Sequence, residues 1–417
     1  MSNNWDFATK SIHSGFNQDE LTGATSLPIY ESAAFAFASA EDLEAAFVGR
    51  KFGHIYSRIT NPTVTALEKR INALENGIGA IATASGMAAI ATVIKTLTKA
   101  GDEIVSSQSL FGGTYSLFND VLKNLGVSAV YVESTDPEAY RRTINGKTRL
   151  LYLETIGNPK LDIPNIQTIA DIAKSHGLPL VVDGTLTTPY LFEAKRFGVA
   201  VIIHSTSKYI SGSGHTIGGV LVDLGNFDWQ NSLSPEVKAY ARQAGEYAFI
   251  ARARKQILQN TGSCLSPFNA YLQNLGLETL GLRMSQHCQN ALQLAQYLQN
   301  HPQVRAVNYP GLPEHPQHPL AQEQFNGKFG AIVTVRLGTK DRSYQLVNRL
   351  KLVKRMTNLG DAKTLIIHPA STIFCTNTAA EQEAAGVYPD LLRISVGIEN
   401  ITDLINDFAQ ALAEESK

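Results

Sequence analysis

The chain has 417 residues, 36 basic and 37 acidic side chains, a formal net charge of −1 and 44% hydrophobic residues. This composition is typical of a folded protein, and the length predicts two domains, because a single core stops growing well below this size. No basic run supports a nucleic-acid partner. No apolar stretch reaches transmembrane length and no signal-peptide pattern opens the chain, so we predict a cytoplasmic protein without membrane contact.

The cysteines and histidines do not predict a metal site. Cys264, Cys288 and Cys375 are widely spaced and include no Cys-x-x-Cys pair, which excludes a disulfide framework or a cysteine metal site. A nucleophilic role for Cys375 is conceivable, but a packed and inert thiol is the favoured interpretation. His315 and His318 lie among prolines without supporting acids, and a surface loop is the favoured interpretation.

The first 60 residues show little helical period, and we predict an extended arm there. Within it, Tyr56-Ser57-Arg58 precedes Asn61-Pro62-Thr63, where a proline fits the first turn of a helix. Apolar residues that recur at helical spacing after Pro62 predict that helix. An isolated Tyr-x-Arg is by default a pair of surface residues.

From residue 61 to about residue 260 the pattern alternates between strands and helices. This alternation predicts a mainly parallel sheet with right-handed crossovers. The predicted helices are 87–97 and 166–176, and the predicted strands are 80–83, 103–106, 128–132, 149–153, 179–182, 199–203 and 219–222. A helical stretch over 246–259 leads to a second domain, 261–417, with long helical patterns over 267–282 and 286–300.

Polar groups follow several of these strands. Ser85-Gly86 precedes a helix, Asn158 lies in a Gly-Asn-Pro turn, Asp183 ends one strand and Lys208 follows another. Side chains at the carboxyl ends of parallel strands lie where open α/β sheets bind ligands. Taken singly, each feature is more simply a helix cap, a turn or a solvent-exposed lysine.

Taken together, they outline a pyridoxal phosphate site. A lysine amine, here Lys208, can form a Schiff base with an aldehyde cofactor. A carboxylate such as Asp183 can keep a pyridine nitrogen protonated, which makes the ring an electron sink. The small hydroxyls of Ser205 and Ser207 can hydrogen-bond a phosphate without crowding it.

The segment 181–219, VVDGTLTTPYLFEAKRFGVAVIIHSTSKYISGSGHTIGG, resembles the signature of the Cys/Met-metabolism pyridoxal phosphate enzymes, which have fold type I. The resemblance extends from Pro28 to Glu399. It implies an α/β fold-type I transferase with a mainly parallel, helix-flanked sheet and a smaller α+β C-terminal domain. It also implies an arm (1–60) that contributes to a neighbouring subunit's site, a cofactor domain (61–260) and a substrate domain (261–417).

The resemblance assigns roles to individual residues. Lys208 is the implied catalytic residue. In YSRITNPT, Tyr56 and Arg58 are implied to bind the cofactor phosphate of a neighbouring subunit, so we expect a homo-oligomer, a tetramer built from dimers with shared sites. The implied substrate-binding residues are Arg393, which clamps the α-carboxylate, and Asn158 and Asn358. The implied cofactor-binding residues are Tyr56, Arg58, Gly86, Met87, Phe111, Asn158, Asp183, Ser205, Ser207 and Lys208.

Two motifs resemble the acylhomoserine sulfhydrylase branch most closely, ETIGNP at 154–159 and NLGDAKTLIIHPAST at 358–372. They imply γ-replacement on O-acetyl-L-homoserine by sulfide or a small thiol such as methanethiol, giving homocysteine or methionine plus acetate. An O-succinyl donor stays open. The alternatives are a methionine or cystathionine γ-lyase, a γ-synthase, γ-substitution by a non-sulfur nucleophile, and a pyridoxal phosphate-binding relic without activity.

Three positions depart from the family pattern. Phe111 stands where the family commonly has tyrosine, Gly184 where it has asparagine, and Phe374 where it has histidine. A phenyl ring at position 111 has no hydroxyl to protonate a leaving group. This favours an ester substrate, because a carboxylate leaves without a proton.

Overall fold

The computed structural model describes residues 5–19 and 22–413. The parts of the predicted arm and C-terminal domain at 1–4, 20–21 and 414–417 therefore lie outside the described residues.

A seven-stranded sheet forms the centre of the larger domain, in the order β1-β7-β6-β5-β4-β2-β3. Its strands lie within one residue or two of the predicted ones. They are β1 (Gly79–Thr83), β2 (Glu103–Ser107), β3 (Ser128–Val132), β4 (Thr148–Glu154), β5 (Leu180–Asp183), β6 (Val201–His204) and β7 (Gly219–Asp223).

The sheet is parallel from β3 to β6, as predicted, but β7 runs antiparallel to both β6 and β1. The strand predicted at 219–222 is present, and it is the antiparallel member of a mainly parallel sheet. An apolar run shows that a strand is buried and does not show its direction. The sheet as a whole stays mainly parallel.

Both faces of this sheet are covered. Neighbouring residues of one strand, such as Val181 and Val182 or Ile202 and Ile203, belong to different hydrophobic clusters. Side chains alternate between the two faces of a strand, so a strand that is covered on both sides is apolar throughout. This explains the unbroken apolar runs in the sequence.

The helices of the first domain and its arm pack around this sheet or lead to it. They are α1 (Phe7–His13), α2 (Ala40–Phe47), α3 (Pro62–Leu74), α4 (Gly86–Leu97), α5 (Gly112–Ser116), α6 (Pro137–Thr143), α7 (Ile166–Ser175), α8 (Thr188–Leu191), α9 (Pro235–Ala244), α10 (Ala248–Arg252) and α11 (Gln259–Thr261). Helices α1 and α2 lie in the arm that we predicted to be extended. Helix α1 is held because the buried Arg70 guanidinium donates to the carbonyls of Ile12 and Ser14.

A five-stranded sheet, in the order β10-β11-β12-β9-β8, forms the centre of the second domain. Its strands are β8 (Ala306–Asn308), β9 (Ile332–Arg336), β10 (Lys354–Arg355), β11 (Leu365–Ile367) and β12 (Leu391–Ser395). The helices are α12 (Pro267–Glu278), α13 (Leu280–Gln299), α14 (His318–Gln324), α15 (Lys340–Arg349), α16 (Ala379–Ala384) and α17 (Ile401–Leu412). Strand β12 faces the first domain through Arg393, which reaches Asn158.

Candidate active site

A cavity of about 360 Å³ opens where β4, β5 and β6 end. The structure brings most of the predicted site residues together in it. The predicted residues that line it are Gly86, Met87, Phe111, Asn158, Asp183, Ser205, Ser207, Lys208 and Arg393.

The N-terminus of α4 forms one end of the cavity. The Ser85 hydroxyl caps this helix by accepting from the Ala88 amide at 3.1 Å. The amides of Gly86 and Met87 come first in the helix, where they have no intrahelical partner. A β-carbon at position 86 would lie 2.7 Å from the Ser205 β-carbon, so only glycine lets the helix approach that serine. Amides at a helix start beside hydroxyls form a site for an anion such as phosphate.

Two carboxyl groups also line the cavity, those of Glu154 and Asp183, which are paired in register on β4 and β5. Asp183 accepts from the Thr185 amide at 2.8 Å, and Glu154 accepts from the Phe111 amide at 2.6 Å. Burial and the neighbouring Asp183 raise the pKa of Glu154 well above its usual value. The raised pKa of Glu154 favours a proton on that carboxyl, which suits Asp183 to face the cavity as an anion.

A buried histidine and glutamate stand behind Asp183. His204 Nε2 lies 2.5 Å from Glu75 Oε1, and both side chains are buried. Burial raises the pKa of Asp183, whereas hydrogen bonds from Thr185 and the nearby His204 oppose that rise. The ring lies under Gly184, where a β-carbon would come within 2.8 Å of His204 Cε1. Gly184 thus makes room for the imidazole beside Asp183.

We expect His204→Phe to weaken pyridoxal phosphate binding about tenfold, because Asp183 loses a polar neighbour that favours its anionic form. Equilibrium dialysis of the cofactor measures this effect. The variant also leaves Glu75 buried without its partner and should unfold at a lower temperature. Adding Glu75→Gln should restore the unfolding temperature but leave cofactor binding weak. If the unfolding temperature and cofactor binding recover together, His204 acts only on stability.

Lys208 projects into the cavity from the loop after β6. Its amine donates to Asn358 Oδ1 at 2.7 Å. Burial, with a smaller contribution from the Arg393 charge, lowers the pKa of Lys208 to about 8. A substantial share of the amine is therefore neutral near pH 8, which is the form that can act as a nucleophile or a base.

Arg393 also lines the cavity and is almost fully buried. Its guanidinium donates to Asn158 Oδ1 and to the Asn358 carbonyl, both at 3.2 Å. Among the residues that the structure describes, Nε has no hydrogen-bond partner, and burial lowers the pKa of Arg393 to about 10. A buried cation with a free donor is suited to a carboxylate, which can accept two parallel hydrogen bonds from it.

Tyr56 and Arg58 do not line this cavity. Arg58 instead donates to the Gln259 carbonyl and lies 5.4 Å from the Tyr56 ring centroid, at an exposed position of the arm. Asn358 is not a wall residue either, but it contacts both Lys208 and Arg393.

Sequence reasoning gave no role to Glu154, Thr185, His204 or Glu75. Glu154 could have been found, because it ends a strand directly before the Asn158 turn. Glu75 had no signal, since it lies 129 positions from His204 and only the folded chain brings them together.

The remaining sequence predictions concern metals, membranes and thiols. Within residues 5–19 and 22–413, no group of three or more histidine, cysteine or acidic residues is arranged to hold a metal ion. No helix in that same part of the chain is long and apolar enough to cross a membrane. Cys375 is exposed, so the prediction of a packed thiol was wrong there. His315 is buried and bonded to the Leu161 carbonyl rather than lying at the surface.

Comparison with protein families gives a match over residues 8–413 to the model described as Cys/Met metabolism PLP-dependent enzyme. The O-acetyl-L-homoserine sulfhydrylase of Leptospira meyeri is 39% identical over 99% of this chain and 98% of its own length. O-acetyl-L-homoserine sulfhydrylase 1 of Thermus thermophilus is 42% identical over 98% of this chain and 100% of its own length.

Solved structures of similar proteins also superpose on most of the chain. A Campylobacter jejuni protein, 33% identical, superposes with a TM-score of 0.94 over 98% of this chain and 100% of its own, and it carries N'-pyridoxyl-lysine-5'-monophosphate. The O-acetylhomoserine sulfhydrylase of Wolinella succinogenes, 44% identical, superposes with a TM-score of 0.78 over 85% of this chain and 97% of its own.

Proposed function

Because the chain belongs to the Cys/Met metabolism PLP-dependent enzymes, we propose that it is an O-acetylhomoserine sulfhydrylase. It transfers the aminocarboxypropyl group of O-acetyl-L-homoserine to sulfide, giving homocysteine and acetate. The fold is that of the fold-type I enzymes, and the cofactor is pyridoxal 5'-phosphate.

The residues of the cavity fit this cofactor. The start of α4, which Gly86 allows to lie close to Ser205, suits the phosphate. Asp183 suits the pyridine nitrogen, and Lys208 suits the aldehyde, since its lowered pKa gives a neutral amine. When bound, the cofactor supplies the electron sink that makes the hydrogens next to the amino-acid centre acidic.

The chain's own residues orient the substrate and move its protons. Arg393 and Asn158 hold the α-carboxylate, which fixes the α- and β-carbons relative to Lys208. The Lys208 amine removes the α-proton and then the β-proton, because one flexible base reaches both positions of a fixed substrate. Acetate departs from the γ-carbon with the electron pair of the C–O bond, the sulfur then adds at that carbon, and the same amine returns the two protons.

One observation favours an ester substrate, namely the phenyl ring at position 111 of the cavity. The carboxyls among the described wall residues are Glu154, which binds the Phe111 amide, and Asp183, which is assigned to the cofactor. Both carboxyls thus already have partners, and the phenyl ring adds no hydroxyl that could protonate a departing thiolate or amine. Acetate needs no proton to depart, so it is the leaving group that this wall suits best.

The test compares two substrates with the purified holoenzyme. We expect acetate and homocysteine from O-acetyl-L-homoserine plus sulfide, and no α-keto acid or ammonia from methionine alone. Release of keto acid and ammonia from methionine at a comparable rate would instead identify a γ-lyase. O-succinyl-L-homoserine serves as the matched donor, and we expect the acetyl ester to react faster.

We also propose a homo-oligomer in which each arm completes a neighbour's site. The described part of the phosphate end has amides and hydroxyls but no arginine. Arg58 and Tyr56 lie outside their own cavity, on an arm that exposes Phe47, Val48 and Phe52. A second copy that covers this apolar arm would receive Arg58, a bidentate donor for phosphate. A tetramer of two such dimers is the expected assembly.

A further inference from the structure

Arg283, on α13 of the second domain, holds the backbone that directly follows Lys208. Its Nη1 donates to the Tyr209 carbonyl at 2.6 Å, and its Nη2 donates to the Ile210 carbonyl at 3.2 Å. Nη2 also donates to the Gly276 carbonyl of α12 at 2.5 Å. One guanidinium on α13 therefore joins the loop that carries Lys208 to α12.

The loop that carries Lys208 forms a compact, helix-like turn. The Gly212 amide donates to the Lys208 carbonyl at 2.8 Å, and the Ser211 amide donates to the Thr206 carbonyl at 3.0 Å. Carbonyls at the end of such a turn need donors from elsewhere, and a basic side chain can supply them. Arg283 does so from the second domain, and burial lowers its pKa only to about 10, so it donates as a cation near neutral pH.

Two glycines let the second domain come this close to the loop. A β-carbon at Gly212, where φ is +76°, would lie 2.1 Å from Arg283 Nη1. A β-carbon at Gly276 would lie 2.3 Å from the Ile210 carbonyl oxygen. The contact therefore requires glycine on the loop and on α12 alike.

The amine of Lys208 is held as well as its backbone. It donates to Asn358 Oδ1 at 2.7 Å. The segment that carries Asn358 returns to the same loop, since the Ala362 amide donates to the Gly212 carbonyl at 2.8 Å. Arg283 thus fixes the backbone end of Lys208 while Asn358 holds its amine, and a shift of that backbone would move the amine relative to the cavity.

We propose that Arg283 is a positioning residue for Lys208. It is not among the described wall residues of the cavity. It acts by fixing the peptides of Tyr209 and Ile210, which sets the point from which the Lys208 amine reaches the cavity. The inference rests on the proposed role of Lys208 in cofactor attachment and proton transfer. A displaced amine performs both more slowly, whereas the substrate carboxylate still meets Arg393.

The experiment compares cofactor attachment with turnover in Arg283→Ala. When pyridoxal phosphate is added to the cofactor-free variant, we expect the visible absorbance to appear about tenfold more slowly than in the unaltered protein. In the holoenzyme, kcat should fall about tenfold while KM for O-acetyl-L-homoserine stays within about twofold, because Arg393 and Asn158 keep their places.

A rescue experiment on the same variant separates position from stability. Arg283 is only partly buried, so a small cation can enter the space that its side chain leaves. Guanidinium chloride at about 20 mM should restore about half of the lost attachment rate, because it offers the same planar donors to the two carbonyls. Sodium chloride at the same concentration should not restore it.

Arg252→Ala is the matched control, because Arg252 likewise donates to two carbonyls, those of Lys95 and Thr96 at the end of α4 that points away from the cavity. This variant should unfold at a lower temperature but keep the attachment rate and kcat. Equal slowing in Arg252→Ala and Arg283→Ala would mean that the rates follow stability, and it overturns the inference.

An Arg283→Ala protein that attaches the cofactor at the unaltered rate overturns the inference too. If this variant does not fold, Arg283→Lys takes its place, with attachment about threefold slower because an amine lacks the planar fork, and an unaltered rate there contradicts the inference. Attachment needs no amino-acid substrate. Its outcome therefore stands even if O-acetyl-L-homoserine does not react and the proposed function falls separately.

Discussion

The Lys208→Ala variant is expected to lose at least about 10⁴-fold in the rate of acetate release, because the residue is both the attachment point and the proposed base. The visible absorbance of the holoenzyme should disappear as well, since it requires the bond between this amine and the cofactor. Acetate release and the absorption spectrum after reconstitution with pyridoxal phosphate measure the two effects. Lys174→Ala, at an exposed position of α7, should match the unaltered protein in both.

The Lys208→Ala variant also tests whether two subunits share each active site. Arg58→Ala should bind the cofactor weakly and have little activity. Refolding it together with Lys208→Ala forms mixed dimers, in which one of the two sites has both residues intact. About a quarter of the full activity should then return, since half of the dimers are mixed. No recovery would contradict the shared site, and a Lys208→Ala protein that keeps the absorbance band would overturn the lysine assignment.

The sequence predicted the positions of the strands better than their directions. Each strand of the larger sheet lies close to its prediction, because a strand covered on both faces is apolar throughout and the signal is strong. The reversed direction of β7 depends on the loop at 212–218 and on pairing with β1, and a local pattern contains neither. Helices α1 and α2 were missed in the arm, since they are short and mostly exposed.

The candidate site, like the fold, could be predicted from the sequence only in part. Lys208, Asp183, Gly86 and Arg393 each lie in a motif, and the fold brings them into one cavity. What the motifs could not show is how the charges inside it are balanced. Burial lowers the pKa of Lys208, and it raises that of Glu154 with Asp183 beside it. These effects arise from desolvation and from neighbours that are distant in sequence, as Arg393 is from Lys208.

Arg393→Lys should raise KM for O-acetyl-L-homoserine about 100-fold and leave KM for sulfide unchanged. The guanidinium offers the substrate carboxylate two parallel donors, and a lysine amine cannot reproduce that geometry. A hundredfold rise in KM corresponds to a loss of about 2.7 kcal/mol of binding free energy. Initial rates with each substrate varied in turn measure the two constants. Arg342→Lys, at an exposed position of α15, is the matched control.

Removing the Arg393 charge should leave stability almost unchanged, although it abolishes the substrate contact. Within residues 5–19 and 22–413 Arg393 has no carboxylate partner, so the cofactor-free protein keeps a buried cation that lacks a countercharge. Arg393→Met removes that charge, which offsets the loss of the hydrogen bonds to Asn158 and Asn358. The unfolding temperature of cofactor-free Arg393→Met should therefore not fall by more than about 2 °C. A large drop in the unfolding temperature would mean that the main role of Arg393 is to join β12 to the first domain, and not to bind a substrate carboxylate.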